Sequence, residues 1–129
     1  SKIVSSITAH RYGELKVDEN LTPRTTDPYT KNIVPISVLS GGTVDQMYLA
    51  LRIALVQTIE NKSEKLPLIM DEVLAQYDDT RSLEAIKVLK DISNERQIIL
   101  FTCKSREVEL VKFVCNNNIN IIELGTDKN

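Results

Sequence analysis

The sequence predicts an α/β domain, and three observations carry the prediction. Leu66 to Met70 and Ile98 to Phe101 are continuous apolar runs rather than alternating ones, and Ile119 to Leu124 is read as a third strand. Helical patterns at Thr80 to Ser93 and Arg106 to Val114 separate those runs. The resulting order, β-α-β-α-β, is that of a parallel sheet flanked by helices, because strands covered on both faces need no polar side. Right-handed crossovers would place all three strands in one sheet, with ligands expected at its carboxyl ends, where Asp71, Glu72 and Thr102 lie.

The remaining elements follow in chain order. Residues 1 to 8 are read as the tail of a preceding helix. From Tyr12 to Pro35 the text is polar and turn-rich: Leu15 and Val17 alternate before Asp18-Glu19-Asn20, Asp27-Pro28 marks a second turn, and Asn32 to Ile36 is extended. Short antiparallel strands are expected there. Val44 to Ile59 is apolar at 44, 47, 48, 51, 54, 55 and 59, a helical period, and Leu49, Ala50, Ile53 and Val56 broaden the stripe. That helix is expected to be mostly buried, with Arg52 in an ion pair. Asn61 to Lys65 and Asn116 to Asn118 are expected turns, and no internal repeat is visible.

Composition narrows the class. A chain of 129 residues fits one domain with a real core, since a domain near 150 residues buries roughly 70% of its unfolded surface. The 42% hydrophobic and 26% charged shares are ordinary for a globular protein, and a formal charge of −2 gives no dominant footprint for nucleic acid. Cys103 and Cys115 lack metal-ligand spacing, so a reducing cytoplasm is the simplest setting. No apolar run approaches a membrane span and no signal-peptide pattern opens the chain, so no membrane partner is expected. Ser1 in place of an initiating methionine sets the expectation of an excised segment.

Chemistry concentrates in two motifs. Leu39-Ser40-Gly41-Gly42-Thr43 opens the long helix, and about thirty residues later come Leu68-Ile69-Met70-Asp71-Glu72 and then Asp78. An Asp-Glu pair ending an apolar strand suits metal-assisted phosphoanhydride hydrolysis: one carboxylate serves Mg²⁺, and its neighbour polarises the attacking water. A Ser-Gly-Gly turn supplies backbone N–H groups, a hydroxyl and the positive end of a helix macrodipole to one anion. No G-x-x-x-x-G-K-[ST] loop accompanies them, since the four glycines stand at 13, 41, 42 and 125. Taken singly, each motif has a plainer reading. Ser40 is a helix cap, the paired acids close a loop, Asp78 and Asp79 start a helix, and His10 is structural.

Taken together, Leu39 to Thr43, the strand ending Asp71-Glu72, and Asp78 seven residues after Asp71 resemble the signature motif, Walker B strand and D-loop of ABC-type ATPases. The helix from Val44 to Arg52, with Ile7-Thr8 and Arg11-Tyr12-Gly13, resembles the SMC-type branch, which includes the SbcC-like repair ATPases. The resemblance covers residues 1–129 and implies the C-terminal lobe of a split P-loop NTPase head, with the N-terminal Walker A lobe and a coiled coil outside the chain. It implies ATP and Mg²⁺ as cofactors, with Asp71 serving the metal, Glu72 as general base, and Asp78 coupling two sites across a dimer seam. Leu39, Ser40, Gly41, Gly42 and Thr43 would meet ATP held by the opposite head, with both glycines allowing close approach. The implied partners are the Walker A lobe, a second head, DNA and a nuclease subunit, and the implied setting is DNA repair or chromosome maintenance.

One departure stands out. Where ABC ATPases carry a switch histidine, this chain reads Phe101-Thr102-Cys103-Lys104, so Cys103 or Lys104 occupies the switch position according to register. Lys104 would offer a point charge, and Cys103 would weaken hydrolysis. Two rivals follow: a nucleotide-gated dimerisation scaffold with little hydrolysis, and an unrelated α/β enzyme using Asp71 and Glu72 on Mg²⁺ without nucleotide.

Overall fold

The computed structural model describes residues 2–60 and 64–125. Helix α1 (Lys2–Ile7) fulfils the helical reading of the N-terminal residues, and it leads into three short strands, β1 (Leu15–Val17), β2 (Pro23–Thr26) and β3 (Ile33–Pro35). They form an antiparallel sheet in chain order, as expected. Each turn is closed by an aspartate. Asp18 Oδ1 accepts from the Asn20 and Thr22 N–H groups at 2.9 Å, and Asp27 Oδ1 accepts from Tyr29 and Thr30 at 2.9 and 2.7 Å. These Asx turns hold a sheet whose strands are too short to bury much.

A single 3₁₀ turn (Ile36–Val38) leads to α2 (Gly41–Ile59), then β4 (Leu68–Asp71), α3 (Asp79–Ser93), β5 (Ile98–Phe101) and α4 (Ser105–Val114). Strands β4 and β5 pair in parallel, from Leu68 opposite Ile98 to Asp71 opposite Phe101. The core lies where α1, α2 and α3 meet one face of that pair. Val4, Ile7, Met47, Ala50, Ile53, Leu68, Met70, Leu74, Ala85 and Ile86 are all buried there.

Three expectations are corrected. Ile119 to Leu124 forms no strand, and Ile121, Ile122 and Leu124 are exposed. A strand needs a hydrogen-bonded neighbour as well as β propensity, and no described segment pairs with this one. The parallel sheet therefore has two strands instead of three, and only one face is covered, with Ile69 59% exposed between buried Leu68 and Met70. Helix α2 is buried along Thr43, Gln46, Met47, Leu49, Ala50 and Ile53, while Tyr48, Leu55 and Ile59 remain exposed. It is apolar on nearly every side, so period alone did not select the buried face. Arg52 is exposed and has no ion pair among the described residues. The turn expected at Asn61, Lys62 and Ser63 lies outside the described residues. Asn116 and Asn117 do turn the chain after α4, in left-handed conformations that asparagine tolerates.

The entry to the parallel pair is held by a buried ion pair that the sequence did not announce. Glu60, ending α2, binds the Arg96 guanidinium in a two-pronged contact, with Nη2 to Oε2 at 2.7 Å. Leu66 N–H also donates to Glu60 Oε1 at 3.0 Å, and Arg96 Nη1 reaches the Leu66 carbonyl at 3.1 Å. Both side chains are almost fully enclosed. Arg96 holds the Glu60 carboxyl below its usual range by hydrogen-bonding the ionised form, and the Leu66 N–H adds to this. A depressed folded pKa stabilises the fold above the unfolded value, and that stabilisation is lost as pH falls through the folded value. Thermal denaturation of Arg96→Leu should give a lower Tm than the parent at about pH 7 and approach it toward about pH 3. Curves that stay parallel across that range would show that the pair does not set the acid limb.

Candidate functional site

At the carboxyl end of β4 the backbone makes an abrupt turn. Asp71 is the last paired residue, and its exposed carboxylate has no hydrogen bond or ion pair among the described residues. Glu72 follows with φ 50°, a left-handed conformation unusual for a residue with a side chain. The turn is held because Glu72 N–H donates to the Phe101 carbonyl at 2.9 Å and Leu74 is fully buried two residues on. Strained backbone of this kind persists only where its surroundings over-determine it.

The Glu72 carboxylate is thereby aimed across the sheet at the end of β5. Cys103 N–H donates to Glu72 Oε1 at 2.6 Å, which sets the Cys103 side chain beside the same carboxylate. The Cys103 side chain first, and then its N–H, hold the Glu72 carboxyl below the usual range, and the neighbouring carboxylate pushes the Cys103 thiol up. Of the two residues expected at the switch position, Cys103 is the one that meets Glu72. Lys104 instead turns its ammonium to the Ala75 carbonyl at 2.9 Å. Arg106 reaches the Tyr77 carbonyl at 3.1 Å and Asp79 at 3.0 Å, so two cations of the following loop and helix pin the segment after Glu72.

The second cluster gathers at the amino ends of α2 and α3. Ser40 occupies the cap position of α2, yet its hydroxyl makes no cap bond to the backbone and pairs with the Thr43 hydroxyl at 2.8 Å. No acceptor among the described residues reaches the N–H groups of Gly41, Gly42 or Thr43. Leu39 packs partly against the core and Thr43 is buried, which fixes the turn between them. Asp78 caps α3, accepting from the Arg81 N–H at 2.8 Å, so its plain reading as a helix start is realised. His10 meets the Ser5 hydroxyl at 2.9 Å on the exposed surface, in the structural role expected of it.

The structure thus joins Glu72, beside Asp71, to Cys103, and gathers Ser40, Gly42 and Asp78 around Arg81. Among the described residues no hydrogen bond or ion pair joins Ser40 to Thr43 with Asp71 or Glu72. Two participants escaped sequence reasoning. Arg81 sits against Gly42, signalled only by the Asp-x-x-Arg spacing from Asp78. Glu107 is fully buried and accepts from the Thr102 hydroxyl, which in turn accepts from Lys104 N–H at 3.1 Å, and nothing in its sequence context marked it.

Among the described residues no group of three or more potential ligands could hold a metal ion. Mg²⁺ commonly takes only one or two carboxylates, with phosphate oxygens and water completing its shell, and the uncommitted Asp71 oxygens fit that donor set. The first cluster can polarise a water through Glu72, and the second can receive an anion on free N–H groups. No described helix is long and apolar enough to cross a membrane.

Removing the thiol should remove the larger of the two influences that hold the Glu72 carboxyl down. In Cys103→Ala, the Glu72 carboxyl, followed by carbon NMR, should titrate at higher pH than in the parent. An unchanged titration would assign the depression to the backbone N–H alone.

No family model matches this chain. An uncharacterized Bacillus subtilis (strain 168) protein, YhaN, is 42% identical over 66 residues, half of this chain and 7% of that protein. The chain therefore spans a small fraction of that curated relative. A structure from a study of ATP-driven dimerisation and DNA-stimulated activation of SMC ATPases superposes with a TM-score of 0.67 at 20% identity, covering 85% of this chain and 68% of its own. An Smc head bound to the winged-helix domain of ScpA gives 0.65 at 20% identity, over 85% of this chain and 34% of its own. An Smc head with an extended coiled coil, bound to the C-terminal domain of ScpA and derived from Pyrococcus furiosus, gives 0.63 at 20% identity, over 85% and 28%. The fold of this chain is that of an SMC-type ATPase head, over the part of the head that these residues span.

Proposed function

We propose that this chain completes an ATP site shared between two heads, supplying Asp71 and Glu72 to the nucleotide on its own side and Ser40 to Thr43 to the nucleotide of its neighbour. The observation that carries this reading is that the two clusters are built independently, Glu72 on Cys103 and the Ser40 turn on Arg81 and Asp78. The anion-receiving turn keeps its N–H groups unbonded, and no hydrogen bond or ion pair among the described residues joins it to the water-polarising acid, which supports assigning the two to different nucleotides.

The phosphates would be cradled by a Walker A lobe that these residues do not include. A place for it is supported by the uncovered face of the parallel pair, where Ile69 and Phe101 are exposed, together with Ile121, Ile122 and Leu124 beyond. Mg²⁺ held with the nucleotide would neutralise charge on the phosphates, with Asp71 as its protein ligand. Glu72 takes the proton of the attacking water, a task for which its carboxylate must be ionised and free to turn. Head closure on ATP and opening after hydrolysis would then drive work on DNA or on a partner protein, in repair or chromosome maintenance.

A second reading is favoured by one contact. Cys103 N–H occupies Glu72 at 2.6 Å, and Cys103 holds that carboxyl below its usual range, which stabilises the carboxylate and weakens it as a base. In the scaffold reading ATP closes the dimer and hydrolysis is incidental.

In a head completed by its Walker A lobe, Glu72→Gln should lower hydrolysis by about a hundredfold or more and leave a long-lived ATP-bound dimer, seen by light scattering. Monomers in ATP would contradict the shared site. Single-turnover phosphate release separates the two readings. ATP-dependent dimers of the parent that release no phosphate would favour the scaffold.

A further inference from the structure

Arg81 connects parts that the preceding reading treats separately. Its own N–H and its Nη1 bind the two oxygens of Asp78, each at 2.8 Å. Its Nη2 stands 3.5 Å from the Ser40 hydroxyl, at the outer limit of a hydrogen bond. Between those contacts the guanidinium lies over Gly42, so that a Cβ there would meet Nη1 at 2.9 Å, Cζ at 3.0 Å and Nε at 3.1 Å. A methyl group does not fit that gap without displacing the arginine. At Gly41, by contrast, a Cβ would meet nothing within 4 Å.

We propose that Arg81 is a positioning residue that fastens the Ser40–Gly42 turn to the Asp78 cap, so that the amino ends of α2 and α3 face a partner head as one surface. This rests on the reading of those residues as the parts of an ATP site offered to a second copy. Gly42 is then a glycine because of Arg81 as well as because of any nucleotide. The ion pair is part-exposed, with Arg81 28% and Asp78 58% accessible, and pairs of that kind add little to stability. Its value is geometrical. Arginine suits the task because its planar fork engages Asp78 while the guanidinium remains flat against the turn, which a lysine cannot do.

Two measurements test this. In the chain itself, amide exchange reports the fastening: Val44 N–H bonds to the Ser40 carbonyl at 2.9 Å, and in Arg81→Ala it should exchange about tenfold faster while β1 to β3 are unchanged. Unchanged exchange at Val44 would overturn the proposal. In the completed head, Arg81→Ala should raise the ATP concentration for half-maximal dimerisation about tenfold, leave kcat at saturating ATP within about twofold, and not be rescued by Arg81→Lys. Gly42→Ala should cause a comparable loss, and the double variant no more than either alone, because both changes undo one contact. Losses that multiply would show that Gly42 and Arg81 act independently and would overturn the proposal. A parent head that forms no ATP-dependent dimer would sink the shared-site reading beneath it, with the exchange result still deciding whether Arg81 fastens the turn.

Discussion

The parallel pairing of β4 with β5 is the constraint on which the rest depends, and a glutamate holds it at each end. At the entry, Glu60 binds Arg96 and the Leu66 N–H, which brings the end of α2, the approach to β4 and the approach to β5 to one point. At the exit, Glu72 receives the Cys103 N–H while its own N–H bonds to Phe101. A two-stranded sheet with one uncovered face has little else to fix its register. Because Asp71 stands opposite Phe101, the acids emerge beside the loop that carries Cys103.

The two ends differ in character. The entry pair is enclosed, with both guanidinium Nη atoms engaged, and it fixes the architecture. The exit glutamate is only half-buried and stands on left-handed backbone, with the uncommitted Asp71 beside it. Strain and unspent hydrogen-bonding capacity concentrated at a strand end are features of a site rather than of a framework. The Ser40 turn repeats the pattern, with unused N–H groups and a hydroxyl that declines its usual capping bond. Both corners are firmly anchored behind, by Leu74 in one case and by Leu39 and Thr43 in the other.

What the sequence disclosed follows from the range of each force. Local signals held: Asp18 and Asp27 marked turns, the apolar run at 98 to 101 marked a strand to the residue, and the order of strands and helices marked a parallel pair. Signals that need a partner did not hold. Ile119 to Leu124 has strand composition but no described neighbour, and the apolar girth of α2 hid which face the core would take. For the candidate site, the acids and the Ser-Gly-Gly turn were legible because their chemistry is written in adjacent residues. Arg81, Arg96 and Glu107 were not, because each acquires its role only when distant segments meet. Cys103 was legible as a departure, whereas its hold on Glu72 required the geometry of the pair.

The central claim is that the two clusters serve different nucleotides in a closed pair of heads. A structure of the completed head with Glu72→Gln and bound ATP tests it most directly. Each triphosphate should lie between Asp71 of one copy and the Ser40–Gly42 turn of the other, with Asp78 at the seam. Nucleotide bound to a single copy, with the Ser40 turn facing solvent or an unrelated surface, would contradict it.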